Sequence, residues 1–138
     1  MAAIPESVTA FLGTSPLGHL VTLNPDGSPQ VSVVWAGVED GELVVASIGQ
    51  RQKLRNAARD PRVAVSFEGT ASNELGLREY LVVHGSARVT EGGAPELLQR
   101  LAYGYLGPGV TFPPMPDPPP GYVLRIAPDR YGGVGPWA

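Results

Sequence analysis

Cysteine is absent from the 138 residues, which removes disulfides, thiolate metal sites and thiol nucleophiles together and fits a reducing interior. Histidine occurs twice, as His19 and His84, too few to hold zinc alone, so no metal site is expected. No apolar run approaches the roughly 20 residues of a membrane span, and the N-terminus lacks the basic start and apolar stretch of a signal peptide. The expectation is a soluble, cytoplasmic chain with no membrane partner. A formal net charge of −3 gives no general attraction to nucleic acid. No Ser-His-Asp spacing, paired catalytic carboxylates or G-x-x-x-x-G-K-[ST] loop occurs, so hydrolysis and nucleoside triphosphate chemistry lack support.

What is present is a chain of one-domain length, 1–138, able to bury an ordinary core without covalent staples. Pro5 to Gly13 places Val8, Phe11 and Leu12 on one helical face, between a proline and a glycine. His19–Asn24 alternates, meets Pro25-Asp26-Gly27 and returns as Ser28–Trp35. In that turn proline presets φ and glycine accepts the positive φ, which predicts a hairpin. A second hairpin is expected at Glu39-Asp40-Gly41, leading into Glu42–Ile48. Further strands are read at Arg62–Phe67 and Glu79–Val89, where Gly85 suggests a bulge or sharp bend. Leu97, Leu98, Leu101 and Tyr105 mark a helix from Ala94 to Leu106. Seven of the fifteen prolines lie between Gly107 and Gly121, which excludes helix and central strand and predicts an extended surface loop. Tyr122–Ile126, a break at Pro128 and Arg130–Val134 complete the pattern. Early hairpins and few helices predict a mainly β fold, a six-stranded antiparallel barrel with helical decorations.

The most informative stretch is Ser47 to Asn56, where an apolar strand ending at Ile48 runs into a short cationic helix stopped by Asp60-Pro61. The first N–H groups of a helix have no partner inside it, and the aligned peptide dipoles make that end electropositive. Ser47, Gly49 and Gln50 sit at the junction, where small and polar residues let an anion approach. Arg51 and Lys53 add full charges, the first a fork and the second a point charge. The competing reading is a solvated helix face, with Leu54, Ala57 and Ala58 packed inward.

A strand beside such a site offers backbone groups and small polar side chains to the edge of a flat ring, and Thr22, Gln30 and Ser32 are candidates for that contact. Trp35 is read as core in preference to pocket wall. His19 and His84 invite a proton-transfer role, but a lone histidine on a strand is more often structural. Tyr131 and Trp137 lie in a glycine-rich tail that, by sequence, lacks the means to bury itself and is expected to cover a neighbouring subunit or to fray.

The order of a helix, His-Leu-Val-Thr-Leu-Asn-Pro-Asp-Gly-Ser-Pro-Gln-Val-Ser and Arg-Gln-Lys-Leu-Arg-Asn-Ala-Ala-Arg-Asp-Pro-Arg-Val-Ala resembles the pyridoxamine 5′-phosphate oxidase-like split β-barrel flavin and deazaflavin oxidoreductases. The similarity runs from about His19 to Val89. The Arg-x-Lys-x-x-Asn form is most similar to the branch that uses the deazaflavin coenzyme F-420. The resemblance implies an FMN-binding split-barrel fold and a homodimer with cofactor in clefts between the barrels. It implies hydride transfer between reduced F-420 and a small organic substrate. The alternatives it leaves are an FMN-dependent oxidase or reductase and a carrier without turnover. The implied cofactor contacts are Ser47, Ile48, Gln50, Arg51, Lys53 and Asn56 around the phosphate, and Gln30, Ser32, Val33 and Val34 along the ring. Tyr80, Tyr131 or Trp137 would arrive from the partner subunit. No catalytic residue is implied; Tyr80, His84 and Arg55 are the candidate proton donors.

Overall fold

Alternation of apolar and polar residues sets the sheet. In the computed structural model, which describes residues 3–138, the strands are β1 (Gly18–Leu23), β2 (Pro29–Val34), β3 (Gly37–Glu39), β4 (Glu42–Ser47), β5 (Arg62–Ser72), β6 (Arg78–Glu91) and β7 (Tyr122–Val134). The helices are α1 (Glu6–Leu12), α2 (Gln52–Arg59) and α3 (Ala94–Tyr105). Every strand pairing is antiparallel, in the order β2-β1-β5-β6-β7-β4-β3.

The expected six-stranded barrel is therefore corrected to a seven-stranded sheet that no ladder among the described residues closes. The extra strand is β3, three residues that pair with β4 through Val38 and Leu43. It is too short to show a period, which is why the sequence registers only the turn that follows it. The two edges of the sheet, β2 and β3, are adjacent in sequence, separated by Trp35 and Ala36. Val34 and Gly37 thus lie no more than about 11 Å apart. That short link forces the sheet to curl until its edges are neighbours.

Leu20, Val65, Phe67, Leu81, Val83, Leu124 and Ile126 fill the curl, each 0–1% exposed, and Val8 of α1 and Leu54 of α2 join them. Burying each such Leu, Ile or Phe side chain contributes about 1.5–3 kcal/mol. A second cluster, Val44, Leu97, Leu101 and Val123, seats α3 on β4 and β7.

Gly85 marks an irregularity, as its place in a long strand predicts. The β6–β7 register shifts between His84 and Gly85, with His84 opposite Arg130 and Gly85 opposite Pro128, so Asp129 is the extra residue. A Cβ at Gly85 would collide with the carbonyl oxygen of Ala127. The bulge also absorbs Pro128, so one strand runs through the expected break.

The C-terminal tail departs from expectation too. Gly132, Gly133 and Val134 continue the ladder with β6. Trp137 then packs on Phe11, ring centroids 4.8 Å apart, and its indole N–H donates to the Tyr80 carbonyl at 3.0 Å. Backbone pairing fastens a tail whose side chains alone could not.

Candidate functional site

The junction between β4 and α2 is built by local hydrogen bonds. The Ser47 hydroxyl, buried with its residue, donates to the Gly49 carbonyl at 2.6 Å and shapes the turn. Gly121, at the end of the proline-rich loop, presses its backbone against Ser47 and Ile48. With φ at +60° and no room for a Cβ, that contact requires glycine. The junction is thereby clamped from both sides.

Arg51 is the N-cap of α2 in extended conformation, and no side chain caps the helix. Its carbonyl accepts from Leu54 and Arg55 at 3.0 and 3.2 Å. The first turn contains no acidic residue. The positive end of the helix dipole is left without a counter-charge from its own element. Arg51 is exposed and folds back, donating to the Gln50 carbonyl at 3.2 Å over the space that Gly49 leaves.

Lys53 is the single lysine of the chain and is half-buried. Burial pushes its ammonium below the ordinary lysine value, and the positive charge of Arg51 adds to the shift. An anion placed here would reverse both effects. Arg55 is turned to Gln52, donating to its amide oxygen at 3.1 Å.

Asn56 acts beneath the site. It is 0% exposed, and its amide nitrogen donates to Thr22 Oγ1 at 3.0 Å and Asn24 Oδ1 at 2.9 Å. Its oxygen accepts from Gln52 Nε2 at 2.7 Å and Arg59 Nη1 at 3.4 Å. Arg59 also donates to the Leu23 carbonyl. With its hydrogen-bonding capacity filled from within, Asn56 fixes α2 to β1, and Thr22 is occupied by the same bond.

A cleft of about 210 Å³ opens beside the helix start, lined by Val33, Val34, Trp35, Ala46, Leu98 and Phe112 with Lys53 at its edge. Trp35 is half-buried and takes both roles open to it, as a wall of this cleft and as a cover on the second core cluster. It stacks on Tyr105 with centroids 5.2 Å apart and planes at 8°. The Tyr105 hydroxyl donates to the Pro16 carbonyl at 2.6 Å and accepts from the Ala36 N–H at 3.1 Å. Lys53 is the one titratable side chain lining the cleft.

Of the residues singled out by sequence, the structure brings Val33, Val34 and Lys53 together here. Gln30 and Ser32 pair with Thr22 and Leu20 of β1 and so share the face that α2 covers. Gln50 is exposed at the junction, whereas Ile48 lines a different hollow with Pro119, Pro120 and Tyr122. Tyr80 lies on the opposite face of the sheet, with His19, Ser66, Glu68 and Arg78. Trp137 sits against α1 of its own chain, and Tyr131 points its hydroxyl into the interior without a hydrogen-bond partner, burial pushing its pKa up. Leu98, Phe112 and Gly121 were not anticipated. In sequence Leu98 marks only a helix, and a loop whose backbone is set by proline carries no period to read.

The arrangement can hold an anion at the helix start and a flat apolar group in the adjoining cleft, and its lining contains no nucleophile paired with a base. Known proteins resemble this chain in sequence and in fold. The family described as pyridoxamine 5′-phosphate oxidase matches residues 4–135. An F-420 reductase of known structure is 27% identical, with a TM-score of 0.73 over 94% of this chain and 98% of its own. A conserved hypothetical protein from Mycobacterium tuberculosis is 24% identical, with a TM-score of 0.69 over 96% of this chain and 89% of its own. A Listeria innocua protein described as a candidate pyridoxamine 5′-phosphate oxidase is 21% identical, with a TM-score of 0.64 over 92% and 94%. The last two speak to the fold alone. None of the curated proteins matches in sequence.

Proposed function

Since the chain belongs to the pyridoxamine 5′-phosphate oxidase family, we propose that it is an oxidoreductase that holds the deazaflavin coenzyme F-420 at the start of α2 and uses it to reduce a small organic substrate. The observation that carries this reading is the uncapped helix start with Arg51 and Lys53 on it, opening into an apolar cleft. The residues fit a phosphorylated ring cofactor on physical grounds. A half-buried ammonium without a carboxylate beside it is costly unless an anion joins it, and the first N–H groups of α2 point the same way.

In this reading Arg51 and the α2 backbone take the phosphate, and Lys53 bridges from the phosphate to the cleft edge. Val33, Val34 and Ala46 lie along the ring, with Gln30 and Ser32 beneath. Ser47 and Gly121 shape the junction, and Asn56 holds the helix at the right distance from β1. The bound cofactor supplies hydride chemistry, and the protein supplies position, electrostatics and exclusion of water. The neighbouring F-420 reductase favours the deazaflavin. FMN is the second reading, favoured by the family itself, which binds flavins.

The same reading makes the protein a homodimer. On the open face of the sheet, Val31 and Val33 are 57% and 59% exposed, beside Val21 and His19 in register. Tyr80 lies on that face, where it would reach a partner. An apolar strand edge of this kind is a poor surface to leave in water. Sedimentation equilibrium that finds a monomer at micromolar concentration would remove the dimer from the reading.

Titration of the purified protein with F-420 and, separately, with FMN tests the cofactor assignment through the fluorescence of each ligand. Tight binding of F-420 with at least tenfold weaker FMN supports the deazaflavin, and the reverse order transfers the assignment to FMN. Weak, equal affinity for both overturns it.

A further inference from the structure

The proline-rich loop has no helix or strand of its own; backbone bonds fasten its ends, and one side chain clips its middle. Gln99 of α3 donates from Nε2 to the Val110 carbonyl at 2.9 Å and accepts from the Phe112 N–H on Oε1 at 3.0 Å. Its amide thus satisfies the loop backbone on both sides of Thr111 as a neighbouring strand would. The result is to set the Phe112 ring 5.1 Å from Trp35, tilted by 52°. Trp35 is itself fixed by its stack on Tyr105. Two aromatic faces are therefore preorganised in the lining of the cleft, which Leu98 of α3 shares.

This wall has a consistent chemistry. Phe112 and Leu98 present no side-chain hydrogen-bond donor or acceptor, and Trp35 brings a single indole N–H. The one charge at the cleft, Lys53, stands on the α2 side and is engaged there by the cofactor in the reading above. A charged or strongly polar molecule would lose its hydration against this wall and gain at most one hydrogen bond in return. A flat apolar one would stack on the aromatics.

We propose that this wall is the substrate side of the cleft, that Phe112 contacts the substrate while Gln99 positions Phe112, and that the group accommodated there is a flat, uncharged, apolar ring system. The assignment of the occupant as substrate rests on the cofactor reading. The requirement for Phe112 and Gln99 does not.

Nile red, a flat uncharged dye that brightens in apolar surroundings, is the probe, titrated into protein saturated with whichever cofactor binds. Phe112→Ala and Phe112→Leu are each expected to weaken dye binding roughly tenfold, the scale of a lost aromatic contact. Phe112→Tyr keeps the flat face and should keep the affinity. Gln99→Ala should weaken the dye severalfold, and Gln99→Glu less, because it retains the acceptor for the Phe112 N–H. Cofactor affinity, measured in the same variants, should be unchanged, which also reports an intact fold. Equal dye affinity in the wild type, Phe112→Ala and Phe112→Leu would overturn the proposal, as would stoichiometric displacement of the dye by cofactor, which would give the cleft to the cofactor ring alone. If neither F-420 nor FMN binds the wild type, the cofactor reading fails separately. Dye titration of the protein alone then still decides whether Phe112 and Gln99 form a site.

Discussion

The two ends of α2 are finished in opposite ways. At the C-terminal end the cap N–H and the charged side chains of Arg59 and Asp60 all find partners. The Asp60 N–H donates to the Asn56 carbonyl at 2.8 Å, Arg59 donates to the Leu23 carbonyl, and the Asp60 carboxylate receives Arg62 at 2.7 and 3.0 Å. At the N-terminal end no side chain caps the helix and its first turn contains no acid, while Arg51 and Lys53 place two positive charges together. A helix of eight residues gains little stability of its own, so an end left open on purpose must be offset by anchoring elsewhere. Stability resides at one end and in the middle of the helix, and binding capacity at the other.

Asn56→Ala attacks the anchored side and should have the largest effect. It leaves Thr22, Asn24 and Gln52 short of partners in a buried setting, at a cost of about 3 kcal/mol. The measurement is the midpoint of urea denaturation with its slope unchanged. Ligand affinity should fall as well, because α2 loses its fixed distance from β1. A variant as stable as the wild type would show that water replaces the amide at no cost.

Lys53→Met tests the open side and should separate the two functions. Cofactor affinity is expected to drop by about 1.5–3 kcal/mol, the scale of a charge-assisted hydrogen bond. Folding stability at neutral pH should rise, since methionine fills the half-buried position without a desolvated charge. The pH dependence follows from the sign of the shift. The folded chain holds the Lys53 proton less tightly than the unfolded chain does, so the ammonium costs stability at neutral pH, and that cost disappears as pH rises toward the ordinary value of 10.5. Anion affinity runs the other way and should begin to fall below pH 10.5, as the lowered pKa is passed. As the only lysine, Lys53 can also be followed by amine acylation and peptide mapping, and bound cofactor should protect it. Labelling at the same rate with and without cofactor would place the ligand elsewhere.

How far the sequence made this contrast legible depends on the residue. The turn residues Pro25-Asp26-Gly27, the strand before Ser47 and the stop at Asp60-Pro61 are local signals, and α2 with its charged start was readable from them. The role of Asn56 was not. Its partners Thr22 and Asn24 lie 34 and 32 residues away, and an asparagine three positions after a lysine looks the same whether it faces a ligand or a buried threonine. The third strand escaped because three residues have no period. Phe112 and Gly121 escaped because their meaning comes from contacts across the fold: the clip by Gln99, and the close approach to Ser47 that a positive φ allows.

Asp60→Asn gives the smallest effect and sharpens the comparison from the stable end. The bidentate partner Arg62 holds the Asp60 carboxyl down to about 2. A folded-state pKa below the unfolded value stabilises the chain above about pH 4 and ceases to do so as pH falls through about 2. The pair is open to solvent, where long side chains and salt erode the gain. At neutral pH the variant should therefore unfold within about a degree of the wild type, and the acid limb of the stability profile should flatten between pH 4 and pH 2. Cofactor affinity should not move, because the change lies at the end of α2 away from the open N–H groups. A loss of affinity comparable to that of Lys53→Met would mean that the two ends of this short helix are not independent, and that the anchored end also sets the charge of the open one.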